Sequence, residues 1–182
     1  MRGCEETRNE RKKSVHPPGG RYSHNMALVR ILVDGYSLLH GWPELAPGQP
    51  RHSAAAREEL VYALTRYRDA IGTPITIVFD GASGVAAGGG EIKSTPEVEI
   101  LFSRTGQTAD DIIERVAYRM RDYGEVLAVT DDNAERDMII GMGGMAQSCL
   151  NFIRAVESAA TDLEHDVKEY NRRERAKFKR AR

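Results

Sequence analysis

The chain has little of what several common functions require. Only two of its 182 residues are cysteine, Cys4 and Cys149, far apart and without the spacing of a metal site or a disulfide framework. A reducing, cytoplasmic setting is the expectation. No apolar run approaches the roughly 20 residues of a membrane span, so no membrane partner is expected. Residues 1–25 carry six basic and three acidic side chains and no apolar stretch, which excludes a secretory signal, and Glu5, Glu6 and Glu10 argue against a transit peptide. No serine–histidine pair, P-loop or zinc spacing stands out. Gly141-Met142-Gly143-Gly144 falls at a helix end and not after a strand, so it is a poor phosphate loop.

What remains is ordinary in bulk and uneven in charge. Hydrophobic residues make up 41% of the chain, enough for one domain with a real core. Residues 1–25 contribute +3 and residues 168–182 contribute +6, so the overall −1 leaves −10 on residues 26–167. An acidic body with a basic tail suits cation binding in the body and phosphate contact in the tail.

The organising stretch is Ile31-Leu32-Val33-Asp34-Gly35-Tyr36-Ser37-Leu38-Leu39-His40. An apolar run ending in a carboxylate and a glycine reads as a buried parallel strand with its functional residue at the carboxyl end. The device recurs at Val78-Phe79-Asp80 and at Val126-Leu127-Ala128-Val129-Thr130-Asp131-Asp132.

In chain order, residues 1–25 are expected to be disordered, with Met26 directly before the first strand as an alternative start. Strands are expected at 28–34, 75–79, 98–102 and 126–130. A helix should begin near Ser53 with Leu60, Leu64, Tyr67 and Ile71 on one face and stop at Gly72. Gly81–Pro96, 16 residues rich in Gly, Ala and Ser, forms a long loop carrying Lys93. Thr108-Ala109-Asp110-Asp111 matches a capping box opening a helix that ends near Gly124, with Ile113, Val116, Ala117 and Met120 buried. A further helix runs to Ile140, and a long one from Ser148 to beyond Tyr170. Domain limits are expected at 26–157, followed by a basic tail at 158–182.

Each acid has a plain structural alternative. Asp110 and Asp111 suit a helix cap, Asp80 a turn, and Asp132 a cap with Glu135 as its box partner. Asp34 is harder to explain that way, because an acid closing a wholly apolar strand is half buried and needs compensation. Together the four fall at one end of consecutive strand–helix units. Two carboxylates about 4 Å apart repel by about 4 kcal/mol at a surface-like dielectric, and a divalent ion relieves that. Oxygen-only ligands favour Mg²⁺ or Mn²⁺, with Glu114 one turn beyond Asp110 on the same face. The matching chemistry is phosphodiester hydrolysis.

Val33-Asp34-Gly35-Tyr36-Ser37-Leu38-Leu39-His40-Gly41-Trp42-Pro43-Glu44-Leu45 resembles the opening motif of the YacP-like NYN domains, which are PIN-like ribonucleases. Val78-Phe79-Asp80, Phe102 to Asp111 and Val129-Thr130-Asp131-Asp132 follow in that family's order and spacing, so the resemblance covers about residues 28–157. It implies an α/β fold, a PIN-like, Rossmannoid three-layer sandwich with a mainly parallel sheet and a long C-terminal helix. It also implies a divalent-metal endoribonuclease with Asp34, Asp110 and Asp132 on the metal and Asp80 beside them. Ser37 stands where the family has asparagine, Thr130-Asp131-Asp132 replaces Thr-Ser-Asp, and an arginine usual after the Gly-rich turn is absent near Ala146 and Gln147.

RNA is the expected partner, with ribosome association as a further expectation and no DNA. Ser37, Lys93, Arg104 and Arg136 are the substrate candidates, along with the basic tail, while Trp42 reads as packing. One rival is a non-catalytic RNA- or ribosome-binding module of the same fold. A phosphoacceptor or phosphatase-type domain using Asp34 as nucleophile is disfavoured, because Tyr36 occupies the place of its second acid.

Overall fold

The computed structural model describes residues 27–81 and 94–180. The expectations for residues 1–25 and for Lys93 lie outside them, as does most of the Gly81–Pro96 loop.

Strand β1 (Leu28–Asp34) leads into a short helix α1 (Gly35–Gly41) and then α2 (Ala54–Ile71). Next come β2 (Ile75–Phe79), β3 (Val98–Phe102), α3 (Ala109–Met120), β4 (Glu125–Val129), α4 (Asn133–Gly141), β5 (Met145–Gln147) and α5 (Cys149–Arg180). The five strands form one sheet in the order β3-β2-β1-β4-β5, and every neighbouring pair is parallel.

The apolar strands are legible because helices cover both faces of the sheet. Ile31, Val33, Ile75, Ile77 and Phe79 belong to the core shared with α1, α2 and α5. Leu32 and Val78 point the other way, into the core shared with α3 and α4. The period of two along β1 and β2 thus divides one sheet between two helical layers. This is the expected three-layer sandwich.

Local signals set the helix ends. Ser53 caps α2 by accepting from Ala56 N, and Gly72 closes it in a left-handed conformation (φ 75°), donating to Arg68 O at 2.7 Å. Leu60 and Leu64 are fully buried, but Ile71 is exposed, so the apolar stripe leaves the core at the last turn. Thr108 and Asp111 make the capping box of α3 in both directions, at 3.1 and 2.9 Å. That helix stops at Met120 and not near Gly124, and its buried face includes Ile112. Trp42 is packed into the core.

One element was not expected: β5 adds a fifth strand after the Gly-rich turn, whereas α1 forms where the residues after Gly35 could open a helix. Helix α5 runs without a break across position 157. Phe152, Ile153 and Val156 anchor its first half, and from Thr161 onward almost every described side chain is solvent-exposed.

From β1 the chain winds outward through β2 to β3, then returns across the sheet to β4 and outward to β5. The strand order therefore reverses between β1 and β4. Outside their carboxyl ends lies the crevice where open α/β sheets place their ligands.

Candidate active site

Asp34 ends β1 at that reversal and caps α1. Its Oδ1 accepts from Tyr36 N and Ser37 N at 3.0 and 3.1 Å, and its Oδ2 accepts from the Ser37 hydroxyl at 2.6 Å. All three bonds lie within four residues, so β1 and α1 position the carboxylate without help from elsewhere. Gly35 makes the tight entry possible. A Cβ there would sit 2.4 Å from Cε1 of the buried Phe79 ring.

Across the crevice, Asp132 caps α4 through Oδ1, which accepts from Ala134 N at 2.7 Å and Glu135 N at 3.1 Å. Its neighbour Asp131 turns away and accepts from Cys149 N at 2.9 Å, tying the start of α5 to the end of β4. Burial, and then Asp131, push the Cys149 thiol up to about 12, so it is an inert packing group. Asp80, one residue past β2, is fixed by the hydroxyl of buried Ser103, which also accepts from Gly81 N at 2.8 Å.

Asp110 stands in the first turn of α3, free of the capping box that occupies Asp111. Its carboxyl is raised above the ordinary aspartate value, first by partial burial and then by the negative charges of Asp34, Asp132, Asp80 and Asp111. The four expected acids thus share one field. Glu114 is exposed and contributes nothing to that shift.

Glu135 was expected only as a box partner for Asp132. It makes no such return bond. Glu135 is 3% exposed, and its carboxylate makes no hydrogen bond of good geometry among the described residues, the Thr130 hydroxyl standing close enough only to favour the charged form. Burial pushes its carboxyl up to about 7; the Thr130 hydroxyl offsets part of that, and Asp110, Asp34 and Asp132 add to it. A buried carboxylate without a partner is costly, and proton uptake or a cation relieves it.

The donors fit a hard divalent ion. All are oxygens, their charges reinforce one another, and Glu135 adds a buried carboxylate beside them. Among the described residues no group of three or more Asp, Glu, His or Cys side chains is placed to hold a metal ion by itself. An open arrangement suits Mg²⁺, which keeps several waters and takes only one or two carboxylates directly.

The chain matches the YacP-like NYN domain over residues 31–181. It belongs to the YacP-like NYN domain family. Similarity to the uncharacterized protein YacP of Bacillus subtilis (strain 168) is 27% identity over 139 residues, 76% of this chain and 81% of that protein. The crystal structure of Rae1 (YacP) from Bacillus subtilis superposes with a TM-score of 0.67 and 27% identity, covering 83% of this chain and 85% of that one. A mutant form of the same protein gives 0.64 and 26%, covering 78% and 82%. NYN domains are a PIN-like, nuclease-type family. No helix of the described residues is long and apolar enough to cross a membrane.

The remaining substrate candidates in this NYN domain divide by environment. Ser37 is committed to Asp34. Arg136 is half-buried and hydrogen-bonds to Asn133 Oδ1. Arg104 is exposed on the turn before α3, where it borders an open groove.

Proposed function

We propose that this NYN domain is a divalent-cation-dependent endoribonuclease. The observation that carries the reading is the placement of Asp34, Asp132, Asp80 and Asp110 together at the carboxyl edge of the sheet by the starts of α1, α4 and α3 and the end of β2, with the buried carboxylate of Glu135 beside them. Asp34, Asp110 and Asp132 would hold Mg²⁺ or Mn²⁺. When bound, the ion polarises the phosphoryl oxygen, activates water and stabilises the leaving oxygen.

The chain's own residues set the stage for that chemistry. Ser37 and the first turn of α1 fix Asp34, the first turn of α4 fixes Asp132, and Ser103 fixes Asp80. Asp110 keeps both oxygens free of intramolecular bonds and faces the crevice from the opposite helical layer. A phosphodiester entering over the carboxyl ends of β1 and β4 meets these groups while the rest of the strand stays outside the sheet edge, as internal cutting requires.

Cleavage of a labelled single-stranded RNA tests this. The expected result is cutting with Mn²⁺, none with EDTA, and none by the Asp34→Asn protein. RNA left intact by wild type in Mn²⁺ but retained in a salt-sensitive complex would replace the reading with a binding module.

A further inference from the structure

Helix α3 carries Asp110 at its start and two arginines, Arg115 and Arg119, further along. With Arg104 they line one open groove of about 350 Å³ beside the edge strand β3, floored by Leu101 and Ile112. All three arginines are exposed, and none takes part in an ion pair among the described residues.

Arg115 is held without being neutralised. With its amide oxygen turned toward α3, Gln107 accepts two hydrogen bonds from the Arg115 guanidinium, at 2.8 and 3.0 Å. The acid one turn earlier, Asp111, is occupied by Thr108. Arg115 and Arg119 are four residues apart and so share a face. At 1.5 Å per residue they lie about 7.5 and about 13.5 Å along the helix from Asp110. In a body carrying −10, three like cations gathered around one groove call for an anion. The tail is less suited, since Arg172 and Arg173 pair with Glu169, and Lys177 with Glu174.

We propose that this groove is the track for the RNA strand flanking the cleavage site, with Arg104, Arg115 and Arg119 meeting successive backbone phosphates. The apolar floor formed by Leu101 and Ile112 takes the face of an unpaired base or a ribose, which a duplex would keep stacked inside itself. The proposal rests on the nuclease reading for its choice of strand and deepens it by naming the single-stranded path.

The test is fluorescence anisotropy with a labelled single-stranded RNA in EDTA, across a salt series. It compares wild type, an Arg115→Gln/Arg119→Gln variant and an Arg172→Gln/Arg173→Gln variant. The groove variant should bind about tenfold more weakly at 0.1 M salt, with the slope of log K against log salt reduced by about 1.4. The tail variant should change less, and duplex RNA of the same sequence should compete poorly. Unchanged melting curves check folding. Wild-type affinity and slope in the groove variant would overturn the track, as would a larger loss in the tail variant, equal competition by duplex, or no binding by wild type. Cutting in Mn²⁺ by wild type and Asp34→Asn is scored separately, so the track and the nuclease reading can fail independently.

Discussion

The Ser37 hydroxyl donates a 2.6 Å hydrogen bond to Asp34 Oδ2, the oxygen that the α1 backbone leaves free. A serine in the family's asparagine position therefore still orients the strand-end acid, which removes one support for an inactive module. Ser37→Ala should leave stability nearly unchanged and lower kcat/KM for RNA cleavage about tenfold, equivalent to about 1.4 kcal/mol of transition-state stabilisation. Ser37→Asn should recover most of it. Steady-state kinetics with Mn²⁺ check both.

The two adjacent acids after β4 separate by partner. Asp131 supports the α5 backbone through Cys149 N, so Asp131→Ala should cost about 1 kcal/mol in urea denaturation and retain cleavage. Asp132→Asn keeps a capping oxygen and loses the charge facing Asp110 and Glu135. It should fold normally and cut at least a hundredfold more slowly. Equal loss of cleavage in both variants would contradict this assignment.

Glu135 gives the metal-free protein a defined pH response. Its carboxyl is raised from 4.5 to about 7, chiefly by burial, so between those values the folded chain holds a proton that the unfolded chain has released. Its contribution is fully present below about 4.5 and is lost as pH rises through about 7, to a total of about 3 kcal/mol. The raised carboxyl of Asp110 acts with the same sign just above the ordinary aspartate range. Denaturation in EDTA should therefore show stability falling from pH 5 to pH 8. Glu135→Gln should flatten most of that slope, and Mn²⁺ should offset it in wild type.

Gly35 admits no side chain. Its Cβ would meet Phe79 Cε1 at 2.4 Å and Cδ1 at 2.6 Å, on a ring that is fully buried. Gly35→Ala should cost about 2 kcal/mol by overpacking and also displace Asp34. A lowered thermal midpoint together with weaker Mn²⁺ binding checks both effects.

Most of the fold was readable because buried parallel strands leave long apolar runs. Ile31-Leu32-Val33 and Ile75 to Phe79 could be placed to the residue, as could α2 between Ser53 and Gly72. Helix α1 could be anticipated after Gly35 but not bounded, because seven residues give no helical period and Leu38 and Leu39 are adjacent. Strand β5 escaped because three residues beside glycines resemble a turn. At the site, the acids directly after β1, β2 and β4 were the signal, β3 being followed by Ser103 instead. The divergence of Asp131 from Asp132 was not legible, since it depends on Cys149, 18 residues away. Nor was the burial of Glu135, because glutamate at the third position of a helix ordinarily turns back to its cap. Arg115 and Arg119 carried no signal in the sequence, since their groove depends on Gln107 and β3 lying beside α3.

Metal-dependent cutting by the carboxylate cluster is checked by single-turnover cleavage of a labelled RNA across a Mn²⁺ titration, with wild type and Asp110→Asn side by side. The expected result is saturable, EDTA-reversible cutting by wild type and a loss of at least a hundredfold in Asp110→Asn, with its fold unchanged. Cutting that is indifferent to Mn²⁺, or preserved in Asp110→Asn, would contradict it.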